Sequence, residues 1–206
     1  MDGVRKEVFL WFCIGLMLLL WVAVLLVTCT PLKINWEAVQ KLPDAITLFV
    51  LLSFAFTRWM WRWLVFRKWL VRIPDLQGTW RGQFQSTWED PATGRVIEPR
   101  PMILVIRHTF RSVSCTMFTA ESESSSRAAQ IAVDDDADAI TLSYNYTNRS
   151  KAILRDKSPI HDGAAHLRVV STPNRMLEGE YWTGRCTTGQ ITLSFLKRDL
   201  DERFSA

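Results

Sequence analysis

The sequence predicts a membrane α-hairpin of two transmembrane helices followed by an all-β antiparallel eight-stranded barrel. Three observations carry that expectation. The first third holds two long apolar stretches; tryptophans crowd around them; and from Gly78 onward short segments of alternating polarity recur between turn signals. The boundary falls near Pro74, giving a hairpin over 1–73 and a barrel over 74–206.

Val8 to Val27 is twenty residues without a charge, enough at the helical rise to cross a hydrocarbon core about 30 Å thick. A secretory leader has a shorter apolar core and a small-residue cleavage site. Here Thr28-Cys29-Thr30-Pro31 leads instead to a second apolar run. Pro43 and Asp44 open that second helix. Ala45 to Thr57 is too short to span, so the helix is expected to continue through Trp59, Met60, Trp61, Trp63, Leu64, Val65 and Phe66. Arg58 and Arg62, spaced i,i+4 on one face, then reach the headgroups.

The net charge of +4 is modest, and much of the excess clusters at the helix ends. Arg5 and Lys6 precede the first span, and Arg58, Arg62, Arg67, Lys68 and Arg72 end the second. In the connection between them, Lys33 and Lys41 balance Glu37 and Asp44. The positive-inside rule puts both termini in the cytoplasm, and the basic cluster points to an anionic lipid bilayer rather than to a DNA or RNA polymer. Cys13, Cys29, Cys115 and Cys186 show no C-x-x-C spacing, as expected of free thiols in a reducing compartment.

The eight expected strands are Gly78 to Trp88, Met102 to His108, Ser112 to Glu121, Arg127 to Val133, Ile140 to Thr147, Ala165 to Ser171, Met176 to Thr183 and Gln190 to Leu196. Breakers between them include Pro91-Ala92-Thr93-Gly94, Asp134-Asp135-Asp136, Asp162-Gly163 and Pro173-Asn174. Period-two alternation assigns the odd strands an inward face that grades from apolar to polar. Strand one offers Trp80, Gly82, Phe84 and then Ser86. Strand three offers Val113, Cys115 and Met117, then Thr119 and Glu121. Strand five runs Ile140, Leu142, Tyr144, Tyr146, Asn148, and strand seven Leu177, Gly179, Tyr181, Thr183, Arg185, with Glu178 and Glu180 outward.

In an up-and-down barrel these polar ends meet at one pole, where Ser122, Ser124 and Ser126 lead into strand four and His161 and Gly163 into strand six. One pole is thus a packed core and the other a polar cup, expected to face away from the membrane because strand one enters at its apolar end.

Aromatic faces, hydroxyls, an amide, a histidine and Arg185, an arginine that needs an acceptor or anionic partner, suit base stacking and phosphate pairing. They do not suit covalent chemistry. His161 and Asp162 point apart on a strand, and no phosphate loop, G-x-S-x-G elbow, H-E-x-x-H helix or zinc spacing is present. The acidic run Asp134 to Asp138 lacks the spacing of a calcium loop and reads as a solvated turn. No catalytic residue, metal ligand or cofactor is expected.

Several segments together resemble the membrane-anchored, β-strand-rich effectors of bacterial CBASS anti-phage systems: Gly78-Thr79-Trp80-Arg81-Gly82 with Ser86 and Trp88, Thr119-Ala120-Glu121-Ser122-Glu123-Ser124, Tyr144-Asn145-Tyr146, His161-Asp162-Gly163-Ala164-Ala165, and Leu177 through Arg185, behind two spans. Where that family is expected to carry a basic residue between the histidine and the glycine, this chain has Asp162. The resemblance implies a barrel that binds a cyclic dinucleotide or related cyclic oligonucleotide made by a CD-NTase. It also implies ligand-promoted homo-oligomers that disrupt the cell inner membrane.

The candidate ligand-binding residues are Trp80, Ser86, Thr119, Glu121, Ser124, Tyr146, Asn148, His161, Tyr181, Thr183 and Arg185. Arg185 is expected to pair a phosphate, Tyr146 or Tyr181 to stack a base, and Thr119, Ser124, Asn148 and Thr183 to hydrogen-bond. Two other readings fit the cup: a membrane-anchored enzyme acting on a nucleotide or lipid headgroup, and a carrier of apolar molecules, which the hydroxyls and Arg185 at the mouth oppose.

Overall fold

The structure, a computed structural model, describes residues 6–66, 69–89, 94–134, 136–156, 158–170 and 174–204. Arg5, Arg67, Lys68, Pro91, Ala92, Thr93, Asp135, Ser171 and Pro173, used in the reading above, lie outside the described residues. The chain divides into two compact units, Met1–Arg72 and Ile73–Ala206.

The first unit is helical. Helix α1 spans Lys6–Val27, a short α2 spans Trp36–Gln40, and α3 spans Leu42–Arg58. Asn35 starts α2 by accepting the Ala38 amide on its side chain at 2.9 Å. Pro43 falls in the first turn of α3, where no intrahelical donor is lost. Indole Nε1 of Trp21 donates to the Ala38 carbonyl at 3.0 Å and so ties α1 to α2.

The second apolar element thus gains its length at the front. Trp36–Arg58 and Glu7–Val27 are each long and apolar enough to cross a membrane, and their outer faces expose Leu10, Trp11, Leu18, Leu19, Leu51 and Phe54. Such helices mark a membrane-associated chain.

The expected continuation to Phe66 is corrected. At Trp59 the backbone leaves the helical region, and Met60–Arg62 and Leu64–Phe66 are short 3-10 turns. The edge-on contacts of Phe66 with Phe56 (5.1 Å) and of Phe12 with Trp69 (5.7 Å) go with the folded-back chain. Arg58 and Arg62 therefore do not share one helix face.

The second unit is a closed ring of eight antiparallel strands. They are β1 (Gly78–Ser86), β2 (Arg100–His108), β3 (Val113–Phe118), β4 (Ser122–Asp134), β5 (Ala139–Ser150), β6 (His161–Val170), β7 (Met176–Thr183) and β8 (Thr188–Lys197). Each strand pairs with its sequence neighbours, and β1 closes on β8 with Phe84 opposite Ile191. A bulge between Ser126 and Ala128 in β4 bends the ring, and Ser126 Oγ there accepts the Cys115 amide at 2.9 Å.

Trp80, Met102, Leu104, Ile106, Cys115, Leu142, Leu167, Leu177 and Leu193 fill the interior toward the pole where β1 begins. The segment before β1 covers that pole. Leu76 is buried against the core; its amide donates to His108 Nδ1 at 3.2 Å, and its carbonyl accepts from Trp80 Nε1 at 3.0 Å. Asp75 accepts from Arg198 at 2.8 Å. After Asp134, residues 136–138 form a turn, and the Asp134 carboxylate accepts the amides of Asp136 and Ala137, each at 3.0 Å.

Candidate ligand-binding cup

At the pole where β1, β3, β5 and β7 end, the ring opens into a cavity of about 820 Å³, within the size range of small-molecule sites. The strand ends bring Ser86, Thr119, Glu121, Tyr146, Asn148, His161, Tyr181, Thr183 and Arg185 to its wall. Phe84, Met117, Tyr144 and Ile191 line it toward the apolar interior.

Two of the residues singled out in the sequence lie elsewhere. Trp80 is fully buried near the opposite pole, with Phe195 edge-on at 5.3 Å, and is a core residue. Its inward direction was read correctly, but its depth excludes it from the cup. Ser124 sits behind the wall, where its Oγ accepts from Asn148 Nδ2 at 2.8 Å.

Two tyrosine rings of the wall are seated by glycines. Tyr146 lies across from Gly163, where a Cβ would stand 2.6 Å from the phenol, and Tyr181 lies across from Gly189, where a Cβ would meet the ring at 2.5 Å. Each ring occupies space that only glycine leaves open. The Phe84 ring meets Tyr181 edge-on at 6.1 Å, and Ser86 hydrogen-bonds its phenol. Burial raises the pKa of both tyrosines, so both hydroxyls keep their protons at neutral pH. The Tyr144 hydroxyl is buried with no hydrogen-bond partner among the described residues.

A polar network crosses the cup. Asn148 Nδ2 also donates to Ser122 Oγ at 3.0 Å; Ser150 Oγ bonds Ser158 Oγ at 3.0 Å; and Ser158 Oγ accepts from Arg185 Nη1 at 3.3 Å. Arg185 follows the end of β7 in a turn held by Thr183 Oγ1, which lies 2.6 Å from Thr187 Oγ1 and accepts the Arg185 amide at 3.3 Å. No carboxylate pairs Arg185 among the described residues.

His161 Nδ1 bonds the Pro159 carbonyl at 2.9 Å, and since a carbonyl only accepts, Nδ1 carries the proton. Burial lowers the His161 pKa against the opposing pull of that bond, and Arg185 lowers it further. The ring is neutral at pH 7, with Nε2 left as its acceptor.

Asp162, where the resemblance expects a basic residue, points outward, is 70% exposed and accepts from Thr147 Oγ1 at 2.6 Å. The outward position therefore keeps this carboxylate off the cup wall, although its charge opposes the lowering of the His161 pKa. It also separates Asp162 from His161, as strand alternation requires.

The Cap15 cyclic dinucleotide receptor domain matches residues 71–194, more than half of the chain. The chain belongs to the Cap15 family. Similar relatives are a CD-NTase-associated protein 15 of Staphylococcus schleiferi, 28% identical over 91% of this chain and 93% of the relative, and one of Escherichia albertii, 26% identical over 72% and 77%. Cap15 proteins are CBASS-associated cyclic dinucleotide receptors of antiviral defence. The resemblance read from the sequence is thus the right family, with the two apolar helices and the eight-stranded barrel that it implied.

The cup of this Cap15 barrel also takes in residues that alternation did not reveal. Arg100 opens β2, two residues before the expected start of that strand, and its Nη1 lies 2.6 Å from Glu121 Oε2. Leu154 and Ser158 come from the 3-10 turn Ala152–Leu154 and the residues after it, which have no periodicity to read. Trp88, Ile97 and Thr187 reach the wall from loops. Among the described residues, no group of three or more His, Cys, Asp or Glu stands together as a metal site.

Proposed function

We propose that the cup itself is the receptor site, that it binds a cyclic dinucleotide or related cyclic oligonucleotide without altering it chemically, and that binding gathers several copies of the membrane hairpin and disrupts the inner membrane. The observation that carries the site is one wall combining Arg185, whose only side-chain partner among the described residues is a neutral hydroxyl, with two glycine-seated tyrosines. A guanidinium and two aromatic faces match the phosphates and bases of such a ligand.

The assembly reading rests on a mismatch of scale. Two helices per chain cannot line a wide pore, so several chains must meet. A ligand drives that only by binding the assembled state more tightly than the monomer.

The site is tested by calorimetry of full-length protein in detergent with a panel of cyclic dinucleotides. Arg185→Ala is expected to lose about tenfold or more in affinity, roughly 1.4–2 kcal/mol, for one charge-assisted bond in a partly desolvated cup. An unchanged affinity would move the site away from this wall. Recovery of a chemically altered ligand would replace the receptor reading with an enzymatic one.

A further inference from the structure

We infer that Glu121 stands in for the ligand's second phosphate, holding Arg100 until a cyclic dinucleotide takes Arg100 from it. The inference rests on the proposed binding of such a ligand in this cup.

The charged groups on the described wall are Arg100, Arg185 and Glu121, with His161 neutral, which leaves one net positive charge. A cyclic dinucleotide brings two phosphates on opposite sides of its ring. Arg185 is available to the first, since it is held by Ser158 Oγ at 3.3 Å. The second guanidinium is Arg100, and a carboxylate already occupies it at 2.6 Å. A guanidinium fork donates to carboxylate and phosphate oxygens in the same geometry, so one anion can replace the other.

The structure makes that exchange a side-chain event. The Glu121 backbone stays fixed by two other bonds: its amide donates to Thr119 Oγ1 at 3.2 Å and its carbonyl accepts the Lys151 amide at 2.9 Å. Arg100 is fixed at the start of β2, opposite Phe84, whose ring abuts Tyr181. The two side chains are 45% and 54% exposed, so the pair is weak and a doubly charged ligand competes with it. A ligand with one phosphate gains only Arg185, so Arg100 sets a preference for rings that carry two, and Glu121 tempers it.

The test is calorimetry on the full-length protein in detergent with cyclic di-AMP, cyclic di-GMP and a mixed purine–pyrimidine cyclic dinucleotide. For whichever binds, Glu121→Gln should tighten binding about two- to fivefold by removing the competing anion. Arg100→Ala should weaken it about tenfold, with Arg100→Gln as a second variant should the alanine protein fail to fold. Weaker binding by Glu121→Gln would mean that the carboxylate contacts a base directly, and unchanged binding by the Arg100 variants would mean that they touch no phosphate. Either result overturns the inference and leaves the receptor site standing. No binding of any of the three ligands by the wild-type protein overturns both.

Discussion

Tyr144, Tyr146, Tyr181 and Cys115 all face the barrel interior, and burial raises the pKa of every one, that of Cys115 to about 12. The folded barrel therefore holds these protons more tightly than the unfolded chain does. Their contribution is fully present below the unfolded thiol value of 9.0 and is lost as pH rises toward 12. Cys115 alone should account for about 2 kcal/mol at pH 10.5. Urea unfolding followed by tryptophan fluorescence should give a clearly lower midpoint at pH 10.5 than at pH 8, and Cys115→Val should remove part of the difference. Equal midpoints would count against these groups being buried in the native barrel. At this scale the sequence was legible in direction but not in depth. Alternation told which side chains face inward, and so put Ser86 and Trp80 on one list, although one lies at the mouth and the other among Leu76, Phe195 and the packed core. Arg100 escaped because its position reads equally well as a basic residue in a turn.

The segment 73–77 is not a strand, yet it closes the apolar pole. Leu76 is 1% exposed, and its amide and carbonyl are both bonded to barrel side chains. Leu76→Ala should cost about 3 kcal/mol, because a closed ring cannot collapse into the space left. A denaturation midpoint that does not move would mean that the segment lies loosely over the pole. Element by element, the strands were readable because each pairs a buried face with a solvated one. Their ends were less so: β4 begins at Ser122 rather than Arg127, since its first residues pair with β5 and extend the ring beyond the apolar alternation. The tail of the second helix misled for a different reason. The tryptophan-rich run after Arg58 still carries large apolar side chains, while the break is made by backbone geometry at Trp59. Cys186 sits in the β7–β8 turn with φ of 59°, between the two expected strands.

At the scale of the whole molecule the proposal makes two demands. Reporters fused after Ala206 should be active only on the cytoplasmic side, following the basic residues that flank the apolar stretches. A reporter working outside the membrane would reverse the topology and cut the cup off from a cytoplasmic messenger. Full-length protein in dye-loaded liposomes should leak only after nucleotide is added, together with a shift to larger species by light scattering. Leakage from protein that remains monomeric at saturating ligand would remove assembly from the mechanism. Since every strand of the ring has a partner on both sides over part of its length, no described strand is a free edge from end to end, and the longest one-sided run is Ala128–Asp134 of β4, which pairs with β5 alone. Copies crowded on a membrane then meet mainly through side chains and turns. A cell that keeps this protein in store between infections thus carries little strand edge on which chance encounters would harden into permanent aggregates.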